Sequence, residues 1–169
     1  RFVGEIGLDA SPAHYASYAR QKEVFESILS MCGKEGGKIL SVHSVRSTKD
    51  VLRLIEKNLP EGRCKVVLHW FNGTASEIGW AIELGCYFSI NAQMLKNPKR
   101  ASALVSFPVE RVLTETDGPF TLTSGHPSRP EDVSAAVCLL ANWFLLYAVS
   151  PTGHPESCQP LDQFPDSKR

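Results

Sequence analysis

The sequence predicts an α/β fold on a parallel sheet, specifically the C-terminal five or so strand–helix repeats of a (β/α)₈ TIM-type barrel. Three observations carry that expectation. Short apolar runs rich in Val, Ile and Leu alternate with stretches of helical periodicity from Phe2 to Tyr147. Gly, Pro and Asn punctuate the junctions between them. A complete barrel takes about 250 residues, so a chain of 169 residues is short by about three repeats. Those repeats would precede Arg1, which opens the chain without a methionine.

The elements follow in order. The first strand begins within two residues of Arg1, and Glu5, in Phe2–Asp9, stands where it gives way to a loop. In the segment after it, Val24, Phe25, Ile28, Leu29 and Cys32 recur at helical spacing over Gln21–Cys32, and Gly33 is placed to end that helix. Gly36-Gly37 is a turn, and Lys38–His43 a short buried strand. Ser47 to Asp50 opens the next helix with a weak capping box; Val51, Leu52, Leu54 and Ile55 form its inner face, and Pro60 lies beyond its end. Arg63–His69 is the third strand. Thr74 with Glu77 is a stronger capping box, and Gly85 suits the C-terminus of the helix it starts. Cys86–Asn91 is a strand, Pro98–Val105 a short helix, and Arg111–Thr116 the last strand. Pro130 fits the first turn of a helix reaching about Tyr147. Residues 1–149 therefore form a partial barrel. Residues 150–169, interrupted by Pro151, Pro155, Pro160 and Pro165, read as an irregular or disordered tail.

Composition narrows the function. Lys plus Arg and Asp plus Glu are 18 each. A neutral chain has no long-range attraction to nucleic acid, which argues against a tight non-specific DNA binder and leaves room for a local basic patch. Cys32, Cys64, Cys86, Cys138 and Cys158 are far apart, with no Cys-x-x-Cys pair. They read as free thiols of a reducing, cytoplasmic compartment. No apolar run reaches the ~18–20 residues of a membrane span. Leu139–Val149 is too short, and Asn142 interrupts it.

Four side chains stand where an expected strand gives way to a loop: Glu5, His43, His69 and Asp117. In a parallel sheet the C-terminal strand ends share one edge, so these groups can converge on the barrel mouth and hold a divalent metal. A lone His at a strand end is more often a hydrogen-bonding loop residue. Two of them with two carboxylates on one edge reverse that reading.

Gly4-Glu5-Ile6-Gly7-Leu8-Asp9, Val42-His43-Ser44-Val45-Arg46, His69-Trp70-Phe71-Asn72-Gly73 and Glu115-Thr116-Asp117-Gly118-Pro119-Phe120 occur in this order. From about Phe2 to Asn142 the chain resembles TatD-family metal-dependent deoxyribonucleases. Gln21 with Phe25, Ser89 before Asn91, and Arg129-Pro130 match weaker signals of the family. Gly73-Thr74 and the Glu115–Pro119 loop look closest to TatD-like nucleases of phage-defence clusters. The usual Cys after the second His is Trp70 here, beside the ligand and bearing on pocket shape.

The resemblance implies Glu5 as a carboxylate shared between two metals, His43 and His69 as ligands of one, and Asp117 as a ligand of the other beside the attacking water. Glu5 and Asp117 are thus the catalytic acids. Mg²⁺, Mn²⁺ or Zn²⁺ is the implied cofactor, two ions in the complete parent. DNA is the implied substrate, cut by hydrolysis and from an end. The family's His-x-His pair, which supplies the other metal, does not occur in this sequence. His14, His126 and His154 do not stand at strand ends.

Neighbouring residues keep two readings. Arg46 binds a substrate phosphate or makes a surface salt bridge. Trp70 and Phe71 stack on a base or pack in the core. Asp9 supports the metal ligands or forms a turn. Glu115 shares a strand face with Asp117. Arg129 anchors the loop before Pro130. Gly4, Gly7 and Gly118 allow close backbone approach. Two other function classes stay open: an inactive truncated fragment, and an amidohydrolase-like enzyme on the same barrel. The latter is disfavoured because no lysine stands near the strand-end site to bridge metals.

Overall fold

In the computed structural model, residues 1–97 and 103–149 are described. The expected tail, with His154 and Cys158, lies outside them, as does most of the helix expected over Pro98–Val105. Leu104–Ser106 forms a 3₁₀ turn.

One five-stranded sheet organises the chain. Its strands are β1 (Phe2–Asp9), β2 (Ile39–Val45), β3 (Lys65–His69), β4 (Tyr87–Ile90) and β5 (Val112–Thr114). They lie in sequence order and every neighbouring pair is parallel. Parallel neighbours need a crossover long enough to bring the chain back. Helices α1 (Tyr18–Glu35), α2 (Thr48–Asn58) and α3 (Ala75–Glu83) provide the first three. The short helix α4 (Ala92–Leu95) leaves β4, and α5 (Val133–Val149) closes the described chain. Between β5 and α5, two short strands absent from the sequence reading, β6 (Leu122–Thr123) and β7 (His126–Pro127), pair antiparallel. Among the described residues the sheet stays open, with β1 and β5 at its edges.

The core lies between sheet and helices. Leu8, Leu40, Val42, Leu68, Phe88 and Ile90 are fully buried on the strands; Leu29, Val51, Leu52 and Ala81 are fully buried on the helices. Each large aliphatic side chain contributes roughly 1.5–3 kcal/mol by leaving water. In α2 the burial of Val51, Leu52 and Ile55 follows the helical repeat, with Leu54 at the core's margin. No helix among the described residues is long and apolar enough to cross a membrane.

Four local expectations are corrected. Glu5 and His43, expected where strands give way to loops, lie inside β1 and β2. α1 runs through Gly33 to Glu35. Gly33 serves packing there: a Cβ would stand 2.5 Å from the Asn58 carbonyl oxygen at the end of α2. Gly36, at φ 73°, ends the helix instead. Ser47 stands at the start of α2 without capping it; its Oγ donates to the Leu8 carbonyl at 2.7 Å and ties the helix to β1. β5 ends at Thr114, so Asp117 is carried by a loop rather than by the strand. The Thr74–Glu77 capping box forms as expected, the Thr74 N–H donating to Glu77 Oε2 at 2.7 Å.

Register sets the functional edge. Gly7 is opposite His43, Val42 opposite Leu68, and His69 opposite Ser89. His43 and His69 each follow a paired residue by one, so they stand level on adjacent strands. Between Val3 and Ile6 the β1–β2 register shifts, and Gly4 with Glu5 faces the single residue Ser41. Such a slip bends a strand and re-aims its side chains. Gly7 has φ 142°, and a Cβ on it would lie 2.1 Å from the His43 carbonyl oxygen.

Gly7→Ala is therefore expected to lower stability by roughly 3 kcal/mol or more in denaturant titration, since strain and a backbone clash coincide. Gly79, in α3, has nothing within 4 Å of a built Cβ. Gly79→Ala should raise stability by about 0.5–1 kcal/mol through helix propensity. Equal responses at the two positions would show that the close approach at Gly7 does not constrain the fold.

Candidate metal centre at the carboxyl edge of the sheet

Glu5, His43, His69 and Asp117 all line one cavity of about 1140 Å³ at the C-terminal edge of the strands. Three of them form a single cluster of ligand atoms. Glu5 Oε1 lies 3.0 Å from His43 Nδ1 and 3.1 Å from His69 Nε2, and the two ring nitrogens are 3.3 Å apart.

Hydrogen bonding cannot satisfy this triangle. Each ring nitrogen holds one proton or one lone pair, so at most two of the three edges are matched. A cation bonded to all three atoms matches every edge. Donors held at ~2.0–2.2 Å from one such ion stand ~3.0–3.4 Å from each other. The residues present therefore fit a divalent metal, with two imidazoles and a carboxylate as donors.

Asp117 lies outside the triangle. Its Oδ1 is 3.7 Å from His69 Nδ1, the opposite ring nitrogen. That nitrogen also faces Glu115 Oε2 at 3.3 Å. Glu115, given only a minor part in the sequence reading, is a hub. It accepts the Trp70 N–H at 3.0 Å, the Asn91 side-chain amide at 3.2 Å and the Ser89 hydroxyl. Period-two alternation placed Glu115 near the site, but nothing local in sequence named its partners.

The Glu115 carboxylate against Nδ1 pushes the His69 imidazole up from 6.5 to about 9. Burial opposes that rise, and the charges of Glu5 and Asp117 add to it. Burial raises the Asp117 carboxyl above its ordinary value; His69 and His43 oppose that shift, while Glu115 and Glu5 reinforce it.

The other candidates separate cleanly. Arg46 lines the cavity and makes no ion pair among the described residues. Trp70 lines it too, half-buried. Phe71 does not: it is 2% exposed and packs against Phe88 and Phe107. Asp9 forms a turn, accepting the Ser11 N–H at 2.7 Å, while also lining the cavity. Lys49 reaches the cavity from the first turn of α2, so a lysine is nearer than the sequence suggested. The Gly118 approach is to backbone, at the Ser128 carbonyl. The Arg129 N–H donates to Asp132 Oδ2 before Pro130. His126 is exposed in β7. Phe120, 80% exposed, lines the cavity and went unremarked as a site residue.

Backbone strain gathers here. Arg46, Trp70 and Asp117 have φ of 52°, 42° and 56°, and all three line the cavity. Left-handed conformations cost non-glycine residues about 1–2 kcal/mol each.

A family model described as TatD related DNase matches residues 1–146. The chain belongs to that family. It is 35% identical over 117 residues to the deoxyribonuclease Tat-D of Schizosaccharomyces pombe, covering 69% of this chain and 37% of that protein. It is 30% identical over 145 residues to the 3'-5' ssDNA/RNA exonuclease TatD of Edwardsiella piscicida, covering 82% of this chain and 53% of that protein. The crystal structure of the TatD homologue YjjV from Escherichia coli superposes with a TM-score of 0.72 at 23% identity, over 83% of this chain and 54% of that one. The TatD relatives thus share the fold, and this chain spans about half their length or less.

Removing the Glu115 charge should bring the His69 titration back toward 6.5. The sign is fixed by the raised pKa: the proton on His69 stabilises the metal-free fold fully below ~6.5, and that contribution fades as pH rises through about 9. In Glu115→Gln the fade should still begin at ~6.5 but be smaller and finish at lower pH. Imidazole proton shifts followed by NMR across pH 5–10 test this; an unchanged midpoint near 9 would place the cause elsewhere.

Proposed function

We propose that this chain is the metal-binding part of a hydrolase that cleaves DNA phosphodiester bonds. The Glu5–His43–His69 triangle is the observation that carries the reading, and membership of the TatD-related DNase family supports its chemistry. Glu5, His43 and His69 hold a divalent ion of the Mg²⁺, Mn²⁺ or Zn²⁺ class. Such an ion supplies Lewis acidity toward a phosphodiester and makes water more acidic.

The chain's own residues do the rest. Glu115 fixes the His69 ring so that Nε2 points at the ligand cluster. Asp117, carried beside His69, would take up the proton of the attacking water at its carboxylate and would hold a second ion; Glu5 would serve both. Arg46 offers a guanidinium to a substrate phosphate, and Trp70 presents a ring edge beside the ligands. Cleavage from a strand end is supported by the exonuclease activity in the name of the Edwardsiella relative. A reducing, cytoplasmic setting is supported by the free, dispersed thiols of Cys32, Cys64, Cys86 and Cys138.

The test uses the full-length protein that contains this chain, with an end-labelled single-stranded oligonucleotide and Mn²⁺. Cleavage should stop with EDTA. His69→Ala and Asp117→Asn should each lower the rate by about 100-fold or more while the thermal transition persists. Calorimetric titration of Mn²⁺ should show binding lost in His69→Ala. Wild-type cleavage in Asp117→Asn would remove that residue from the chemistry, and metal-independent cleavage would remove the whole reading.

A further inference from the structure

A stacked pair of tyrosines meets the cavity that holds the ligand cluster through one of its members, Tyr18. Tyr15 and Tyr18 have ring centroids 5.7 Å apart and planes inclined by 9°. Tyr18 lines the cavity. Three contacts hold it: its hydroxyl donates to Asp50 Oδ2 at 2.8 Å, the Lys22 ammonium sits 4.9 Å from its ring centre, and Tyr15 covers one face. Tyr15 is different. It is 63% exposed, and Tyr18 is its single ring neighbour among the described residues.

The segment carrying Tyr15 is fixed. Ser11 accepts the N–H groups of His14 and Tyr15, at 3.0 and 2.9 Å. The Gln21 amide reaches the carbonyls of Asp9 and His14 and the Ser17 hydroxyl, while its oxygen accepts the Asp9 N–H. A large aromatic ring left in water on a braced turn gains nothing for the core. It does offer a flat apolar face, held against Tyr18 of the cavity lining. Arg46 and Lys49 line the same cavity, which also carries five carboxylates among the described residues, and are the two cationic side chains there that can meet a phosphate.

We propose that Tyr15, backed by Tyr18, is a stacking platform for an unpaired nucleobase of the strand entering the site. The inference rests on the nuclease reading above. A base in a duplex has both faces covered, so the platform selects single-stranded or frayed ends. Every base has a π-face, so it tolerates sequence.

Fluorescence anisotropy with a labelled oligo-dT and EDTA present measures binding without cleavage. The chain is compared with Tyr15→Ala and Tyr15→Phe, each against the same oligonucleotide carrying abasic sites. Tyr15→Ala should weaken oligo-dT binding about tenfold, and Tyr15→Phe should stay within about twofold of wild type. Abasic strands should bind all three proteins alike. Equal oligo-dT affinity in Tyr15→Ala would overturn the platform, as would an equal loss with abasic strands. Both results leave the nuclease reading standing. A wild-type chain that binds no oligonucleotide would also overturn the platform, while metal-dependent cleavage still decides the nuclease reading.

Discussion

The Glu115 carboxylate is the interaction on which the carboxyl edge of the sheet depends. It gathers the Trp70 N–H after β3, and the Ser89 hydroxyl and Asn91 amide of β4 and its exit. Its own backbone N–H extends the β4–β5 pairing by donating to the Ile90 carbonyl at 3.0 Å. Hydrogen bonds to a charged acceptor are worth roughly 1.5–3 kcal/mol each, so three strand ends are tied by one side chain. The same carboxylate faces His69 Nδ1, and this decides which nitrogen is left for the ligand cluster. A ring free to flip would present either nitrogen; here Nε2 is the one beside Glu5 and His43.

The triangle poses an electrostatic problem. Glu5, Glu115 and Asp117 place three carboxylates around His69. Without a metal, the cluster keeps a proton on that imidazole to offset them, and the titration near 9 expresses this. A divalent ion offsets the same charge more completely and displaces the proton, because the ligand form of histidine is neutral. Folding holds these like charges together at a cost the sheet register imposes. The left-handed conformations of Arg46 and Trp70, each just past a strand end, and of Asp117 in its loop also lie at this cavity.

Periodicity made the sheet legible. Short apolar runs, helical repeats and capping pairs are local, and β1 to β5 with α1 to α3 follow from them. Their parallel order brings Glu5, His43 and His69 together; His69 ends β3 as the sequence marks, while His43 lies inside β2 and Glu5 inside β1 at its register slip. What escaped was non-local. Gly33 looks like a helix stop until Asn58 is seen against it. Ser47 looks like a cap until the Leu8 carbonyl is found. The pairing of β6 with β7 depends on a tight turn at Ser124 and Gly125, both with positive φ. Glu115 was visible as an acid on the right face, but its four partners come from two other strands.

The site is divided between two kinds of support, and this division governs how it can change. The ligand triangle stands on β1, β2 and β3, whose register is fixed by core side chains such as Leu8, Val42 and Leu68 on the same strands. Shifting one strand by a residue would turn those side chains out of the core, so the triangle's geometry is protected by packing energy. Tyr15, Trp70 and Phe120 stand on connecting segments instead, where backbone change does not touch the core. Change on those segments can therefore alter the aromatic rim without disturbing the triangle. Glu5, His43 and His69 stay with the sheet, whereas Asp117 and the rim rest on the loops.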